Sequence, residues 1–423
     1  MSSFIKRAKL VLADKALRRR ILITFALLAL FRIVAAIPLP GVDTARLHDV
    51  LTGNSFLGFL NIFSGGGLTT LSVFMLGVGP YITASIMLQL GTAVVPRLKE
   101  MYQEEGEIGR RKFAQWGRVL SIPLAVLQAI ALLALLNSQG ILANLTFFEQ
   151  SLNVLVAVAG AVLLMWLGEQ ITDYGIGNGM SLIIFAGIVA GLPTAFSQVY
   201  LTYSAVQLPL YLGFTLLAAV IIAGIVYVAE AERPIPVTYA KQVRGGTQSG
   251  GIQTYLPIRI NQAGVLPIIF AISVLLFPQF IANILAAFPA ELAQTISRFL
   301  LSIVQNSAVY AVAYFVLVIF FTYFYMAINF EPEKMAENLQ KSGAFIPGIR
   351  PGHSTAVYLA NVSGRLTLAG ALFLGVIAVL PLIMQAVTGN ATLAIGGTGL
   401  LIMVSVVLEL VKQLEAQATM REY

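Results

Sequence analysis

Apolar residues run in blocks of about twenty along this 423-residue chain, and polar residues gather between them. Ten blocks predict ten helices, at roughly 21–37, 75–95, 118–137, 152–170, 179–197, 208–229, 262–285, 308–328, 365–386 and 396–411. Stretches near that length match a hydrocarbon layer of about 30 Å at a rise of about 1.5 Å per residue. The pattern breaks once, ahead of the second block. There Phe63-Ser64-Gly65-Gly66-Gly67 leads into a short apolar piece, Leu68 to Phe74, and Leu76-Gly77-Val78-Gly79-Pro80 interrupts again. About ten residues of helix rise only roughly 15 Å, so 63–74 is predicted as a half-helix that cannot span. Irregular backbone at membrane depth survives only where protein buries it or where it lines an aqueous cavity. The break therefore predicts an internal pathway with the half-helix in its mouth.

The polar gaps are unequal. Those at 230–261 and 329–364 are about thirty residues each, longer than a helix connection needs, and long ordered loops are often functional. Turn and extended signals mark both: Gly245-Gly246, Gly250-Gly251 and Pro257 in one, Pro347-Gly348 and Pro351-Gly352 in the other. A third basic gap holds Glu104-Glu105-Gly106-Glu107 followed by Arg110-Arg111-Lys112. Ten spans divide as five plus five, 1–203 and 204–423, joined near Tyr203–Gln207. An odd number of spans per half gives the halves opposite topology, as in inverted-repeat membrane proteins, although no residue-level repeat supports the symmetry.

Composition settles the class. Hydrophobic residues make up 58% of the chain against 11% charged, so the expectation is an all-α polytopic membrane protein with no separate soluble domain. Cysteine is absent, which removes disulfides, thiolate nucleophiles and cysteine metal sites. A basic arm from Lys6 to Arg20 precedes the apolar run Ile21 to Ile37 and imitates a secretory signal. Nine further spans follow and the arm is long for a signal, so it is read as an uncleaved first span. An even span count puts both termini on one side. The loops of that side and their flanks hold 23 of the 26 Lys and Arg residues, all but Arg32, Arg46 and Arg298. The positive-inside rule makes that side cytoplasmic in a multi-pass membrane protein. The net charge of +7 thus describes one face, which serves topology and anionic-lipid contact, and as a further reading protein docking.

Candidate chemistry is sparse. No phosphate loop or H-E-x-x-H motif occurs, and His48 and His353 fall in predicted loops without a second ligand at suitable spacing, so no metal or cofactor is expected. Gly175-Ile176-Gly177-Asn178-Gly179 follows an apolar helix rather than a strand and reads as a tight turn, not a nucleotide loop. Arg32 lies about two-thirds along the first span, where a cation needs a partner or must reach the interface. Glu169 and Glu409 sit near span ends. A secondary transporter of similar span number is the alternative function, and its mark would be a coupled set of mid-membrane carboxylates or histidines, which this chain lacks. A membrane-embedded protease is a third reading, without a metal motif or an evident nucleophile–base pair to support it.

Several stretches carry a closer likeness. They are Ile37-Pro38-Leu39-Pro40-Gly41; Asn61 to Gly67 with Pro80-Tyr81-Ile82-Thr83-Ala84-Ser85-Ile86; Glu105-Gly106-Glu107 with Gly109-Arg110-Arg111-Lys112; Trp166-Leu167-Gly168-Glu169-Gln170-Ile171-Thr172 running into Gly175 to Gly179; and Asn329 to Gly352. In order and spacing, from about residue 15 to 415, the chain resembles the bacterial SecY family, the channel subunit of the protein-translocation machinery. The resemblance implies a protein-conducting channel, not an enzyme, with two five-helix halves around a pore that opens sideways to lipid between spans 2–3 and 7–8. It makes 63–74, with Ser64, Gly65, Gly66, Gly67, Leu68 and Phe74, a plug in the external funnel. It maps an apolar pore collar onto Val78, Ile82, Ile86, Met180, Ile184, Ile269 and Ile402, with Val78 and Met180 where isoleucine is common. Without the likeness, each would read as ordinary helix packing.

The resemblance also implies a lateral gate at Gln89, Gln128 and Asn261, whose alternative role is to satisfy neighbouring backbone. Docking of the SecA motor ATPase or the ribosome falls to Lys241, Arg244, Arg259 and Arg350, where a loop cap or lipid contact is the plainer role. Ala231-Glu232-Arg233-Pro234 and Gly245-Gly246-Thr247 stand where relatives often carry more arginines, so ribosome contact is expected to be weakened and motor contact to dominate. Further implied partners are the small subunits SecE, which clamps the halves, and SecG, together with signal peptides, nascent chains and anionic lipids.

Overall fold

The structure, a computed structural model, describes residues 14–39, 61, 64–142, 146–201, 208–239, 242–244, 247–249, 253–286, 290–388 and 391–419. His48 and Lys241 fall outside these. The architecture is all-α and polytopic. The first helices are α1 (Lys15–Ala35), α2 (Gly79–Val94), α3 (Pro96–Gln103), α4 (Gly106–Ser138), α5 (Phe147–Tyr174), α6 (Gly179–Leu201) and α7 (Leu208–Glu230). Strands β1 (Glu232–Tyr239), β2 (Gln242–Arg244), β3 (Thr247–Ser249) and β4 (Gln253–Arg259) follow. Then come α8 (Leu266–Ala286), α9 (Glu291–Gln305), α10 (Ser307–Asn329), α11 (Pro332–Lys341), β5 (Ala344–Phe345), α12 (His353–Thr388) and α13 (Ala391–Thr419). Among the described residues, Gly106–Asn137, Phe147–Tyr174, Leu266–Ala286, Ser307–Lys341 and His353–Met384 are long and apolar enough to cross a membrane, and Gly179–Pro193 and Thr215–Glu230 are shorter apolar helices.

Helices outrun the apolar blocks that predict them. α1 starts at Lys15 because the Asp14 carboxylate accepts from the Ala16 N–H at 2.8 Å and satisfies a free donor of the first turn. α5 starts at Phe147 under a capping box, in which Thr146 and Glu149 each satisfy the other's backbone N–H. α12 begins at His353, twelve residues ahead of its apolar run, so the polar gap 329–364 ends in helix. The gap 96–117 is likewise helical. α3 folds back on α4 through Gly106 at φ 63°, with the Tyr102 and Phe113 rings 4.9 Å apart.

Contacts group the chain into two compact units. One holds residues 1–215, 272–310 and 381–423, the other 216–271 and 311–380. In the first, α5 contacts α1, α2, α4 and α6, and α6 contacts α1 and α13. In the second, the two long polar gaps meet. β1 pairs antiparallel with β4 from Glu232↔Arg259 to Thr238↔Gln253, and β5 joins the other edge at Thr238↔Phe345 and Tyr239↔Ala344. Alternate residues Ile235 and Val237 turn inward with Ile258, Ala344, Ile346 and Leu359 of α12, all buried. Leu256, Phe330, Met335, Leu339 and Ile349 close around them. A shared apolar core makes the two gaps one small folded body.

The predicted half-helix at 63–74 is not a helix. Residues 64–74 of it are described, and the strip 64–78 forms successive turns, with amide-to-carbonyl bonds Gly67 to Ser64 (3.2 Å), Leu71 to Leu68 (3.1 Å), Met75 to Ser72 (2.9 Å) and Gly77 to Phe74 (2.9 Å). Gly65, Gly66 and Gly77 take φ of 61°, 84° and 61°, and Leu71 takes 40°, so left-handed residues interrupt any four-residue ladder. The strip pairs instead with the chain after α1. The Leu39 N–H donates to the Leu71 carbonyl at 2.8 Å, and the Val73 N–H donates to the Ile37 carbonyl at 3.1 Å.

Candidate functional site

Most of the turn strip is buried within its unit, with Thr69 and Thr70 exposed. Ser64, Leu68, Leu71, Phe74 and Met75 have no exposed surface, and the Phe74 ring stacks on Phe31 of α1 at 5.7 Å. Two helices approach its backbone where only glycine fits. A β-carbon at Gly187 of α6 would lie 2.0 Å from the Gly65 Cα, and one at Gly160 of α5 would lie 2.0 Å from the Val73 carbonyl oxygen. Polar atoms are satisfied locally. Ser64 Oγ donates to the Asn61 carbonyl at 2.9 Å and accepts from the Leu68 N–H at 3.0 Å. Ser72 Oγ donates to the Gly67 carbonyl at 3.0 Å and accepts from the Phe74 N–H at 3.2 Å, and Thr70 Oγ1 donates to the Ala35 carbonyl at 3.1 Å. Irregular backbone folded this way tolerates a low-dielectric setting. Arg32 has its partner here: Nη1 reaches the Gly65 carbonyl at 3.5 Å.

The expected collar residues are apolar and mostly sequestered. Val78 caps α2, and Ile82 and Ile86 follow at four-residue steps on one stripe; they are 1%, 8% and 2% exposed. Ile184 of α6 and Ile402 of α13 are buried in the same unit. Their helices meet one turn away, where a β-carbon at Gly399 would lie 3.4 Å from Ile188. Met180 is half-buried with its Sδ over Gly168 of α5, so its side chain is engaged in helix contact. Ile269, buried, belongs to the other unit.

Two of the three polar gate candidates bond locally, and the third lies against a neighbouring helix. Gln89 Nε2 donates to Ser85 Oγ at 3.2 Å within α2. Gln128, buried in α4, has its Oε1 3.6 Å from where a Gly79 β-carbon would sit. Asn261 Nδ2 donates to the Gly264 carbonyl at 3.2 Å in the turn before α8, while its buried Oδ1 has no partner. The first unit's polar framework is built elsewhere. Arg118 Nε of α4 donates to Glu169 Oε1 of α5 at 2.7 Å. The tight turn expected at 175–179 forms, with Gly177 at φ 84° and Asn178 Oδ1 accepting from the Met180 N–H at 3.1 Å and the Ser181 N–H at 3.2 Å. Thr24 of α1 ties in by accepting from the Ile176 N–H at 3.1 Å. Beside it, Lys15, Arg19, Arg20, Asp173 and Tyr174 line an open cleft of about 630 Å³.

In the second unit Arg259 rides on the shared sheet, Arg244 on a separate two-stranded one, and Arg350 on a turn. Arg259 ends β4 opposite Glu232, and its side chain is exposed. Arg244 ends β2 opposite Thr247. Arg350 is exposed on a turn pinned from both sides: Thr355 Oγ1 donates to the Arg350 carbonyl at 3.0 Å, and the Ile349 N–H donates to the Ile346 carbonyl at 3.1 Å. Gly348 and Gly352, at φ 83° and 97°, shape that turn. Sequence reasoning missed Gly160 and Gly187, whose signal was glycine inside an apolar span. It also missed the sheet core, whose signal was the alternation of Ile235 with Val237 and of Leu256 with Ile258. Among the described residues no group of His, Asp and Glu is arranged to hold a metal.

Comparison with known proteins agrees with this fold. The SecY family model matches residues 72–411. The protein translocase subunit SecY of Corynebacterium glutamicum is 43% identical, over 100% of this chain and 99% of its own. A solved structure described as a protein-conducting channel superposes with a TM-score of 0.65 at 20% identity, covering 95% of this chain and 92% of that one. Sec61 in a canine ribosome–channel complex gives 0.60 at 19%, covering 96% and 93%.

Proposed function

This chain belongs to the SecY family of protein-translocase subunits, and we propose that it forms the polypeptide-conducting channel of a Sec translocase in the cytoplasmic membrane, with both termini in the cytoplasm. The observation that carries the reading is the buried turn strip 64–78, an irregular backbone tucked among α1, α5 and α6 with its serine and threonine hydroxyls hydrogen-bonded to backbone. Such a strip is suited to act as a plug that leaves its seat as a unit. Ten spans in two five-helix halves, 1–203 and 204–423, enclose the path, and Val78, Ile82, Ile86, Met180, Ile184, Ile269 and Ile402 line its waist. Apolar side chains converging at mid-membrane dewet a constriction and resist ions, and they give a passing chain nothing to hydrogen-bond. Met180, with a flexible thioether, repacks as the waist widens.

Signal peptides and transmembrane segments part the wall beside Gln89, Gln128 and Asn261 and leave into lipid. Interhelical polar contacts in membranes contribute roughly 0.6–2 kcal/mol, which a hydrophobic segment can replace. The chain carries no energy source, so work comes from SecA or a translating ribosome docked on Lys241, Arg244, Arg259 and Arg350. The name of the Sec61 neighbour, a ribosome–channel complex, supports the second of these. SecE clamps the halves, SecG lies peripherally, and the basic cleft at Lys15, Arg19 and Arg20 takes an anionic lipid headgroup.

Vesicles carrying the chain with its partner subunits are expected to import a secretory precursor when SecA and ATP are supplied. Vesicles that instead move a small solute, and no precursor, would end the reading. For the waist, Ile82→Ser, Ile86→Ser and Ile402→Ser combined are expected to make the resting channel conduct ions, because hydroxyls rewet the constriction. Planar-bilayer recordings indistinguishable from those of the unaltered protein would remove these residues from the collar.

A further inference from the structure

α9, Glu291–Gln305, has three distinct faces. One is turned inward, where Ser297 is buried and its Oγ donates to the Ala282 carbonyl of α8 at 2.8 Å. A second carries Glu291, Thr295, Arg298 and Ser302, all exposed and polar. The third carries Leu292, Ile296, Phe299 and Ile303, spaced by four, three and four residues on one stripe, and they are 80%, 49%, 63% and 40% exposed. A helix bathed by water on all its outer surface would not repeat large apolar residues there over three turns.

Connectivity says what covers that stripe. Fifteen residues of helix rise about 22 Å, so α9 is too short to cross a bilayer. It is tethered closely to two membrane helices. Only residues 287–290 separate it from α8, and Asn306 alone separates it from α10, whose first turn that residue caps by accepting from the Ala308 N–H at 3.1 Å. The chain leaves one span and enters the next across this helix, so α9 lies at a membrane surface. One span separates it from the basic 230–261 region, which puts it on the opposite side.

We propose that α9 is an interfacial helix whose Leu292, Ile296, Phe299 and Ile303 stripe is sunk into the acyl layer of the outer leaflet, with Glu291 and Arg298 turned to water. The arrangement is that of an amphipathic helix lying in the headgroup plane. Here it anchors the outer ends of α8 and α10 to lipid through the Ser297–Ala282 bond on one side and the Asn306 cap on the other. The occupant is lipid, independent of what the channel carries, so lipid contact and transport fail separately.

The chain has no cysteine, so single cysteines can be labelled directly. Phe299→Cys, Leu292→Cys, Thr295→Cys and Ser302→Cys would each carry an environment-sensitive fluorophore in the full chain, reconstituted with its partner subunits into phosphatidylcholine vesicles. Labels at 299 and 292 are expected to emit blue-shifted and to be quenched by nitroxide on acyl chains at least about twofold more than labels at 295 and 302, which iodide should quench instead. Iodide quenching at 299 and 292 equal to that at 302 overturns the proposal. So does protection of 299 and 292 from both quenchers, which would mean that another subunit or a second copy covers the stripe.

Discussion

Gly187→Ala is expected to raise resting ion leak through the protein by about tenfold or more. A methyl group there would sit 2.0 Å from the Gly65 Cα, which no rotamer change relieves because both partners are backbone. Overpacking of this kind costs roughly 1–3 kcal/mol. Each 1.4 kcal/mol is about tenfold in an equilibrium, which for the proposed plug is the one between seated and unseated strip. The cost falls on the seated state alone. Gly160→Ala, aimed 2.0 Å from the Val73 carbonyl oxygen, tests the same seat from α5. Gly191→Ala, one turn beyond Gly187, is the control, because a β-carbon there would meet nothing within 4 Å. Conductance of planar bilayers holding each variant decides the matter, with membrane insertion checked separately. Properly inserted Gly187→Ala and Gly160→Ala proteins that leak no more than Gly191→Ala would show that strip 64–78 does not hold back ions.

That seat marks where sequence reasoning stops. The break in apolar pattern at Ser64–Gly67 marks a segment that is not a spanning helix, because missing side chains and short runs are visible in any sequence. Its conformation was not visible. Gly65 and Gly66 permit left-handed turns but also flexible helix, and what selects turns is pairing with residues 37 and 39 and the press of α5 and α6. Apolar block length predicted the positions of spans well and their ends poorly, since Asp14, Thr146 and Glu149 extend helices by capping, which hydropathy does not register. The Gly175–Gly179 turn was legible because its glycines and Asn178 act locally. A cation inside an apolar span needs a partner, yet which one Arg32 finds, the Gly65 carbonyl thirty-three residues away, is set by the fold. The polar gaps at 230–261 and 329–364 read as separate loops because β1 and β5 are over a hundred residues apart, and only the period-two spacing of apolar Ile235 and Val237 hints at a sheet.

The shared core of those two gaps leads to the other large expected effect. Leu359→Asp should abolish motor-driven precursor transport while leaving the resting seal intact. Leu359 is fully buried beneath the sheet, between Ile235, Val237, Ile258 and Ile346. Truncation of such a leucine to alanine costs about 2–5 kcal/mol, and an aspartate adds an unpaired carboxylate with no cation in the cluster to meet it. The sheet would then come away from α12, and the exposed Arg259 and Arg350 would lose their fixed relation. Arg350→Lys separates geometry from chemistry. The turn around residue 350 is held through backbone, by Thr355 and the Ile346 carbonyl, so lysine keeps the fold but loses the planar, bidentate guanidinium that suits a carboxylate partner. Limited proteolysis should therefore cut 230–261 rapidly in Leu359→Asp and slowly in Arg350→Lys, while both variants lose SecA-driven transport. Normal transport by a Leu359→Asp protein whose sheet is protease-sensitive would mean that the motor needs no folded platform here, and that the arginines act, if at all, from a loose chain.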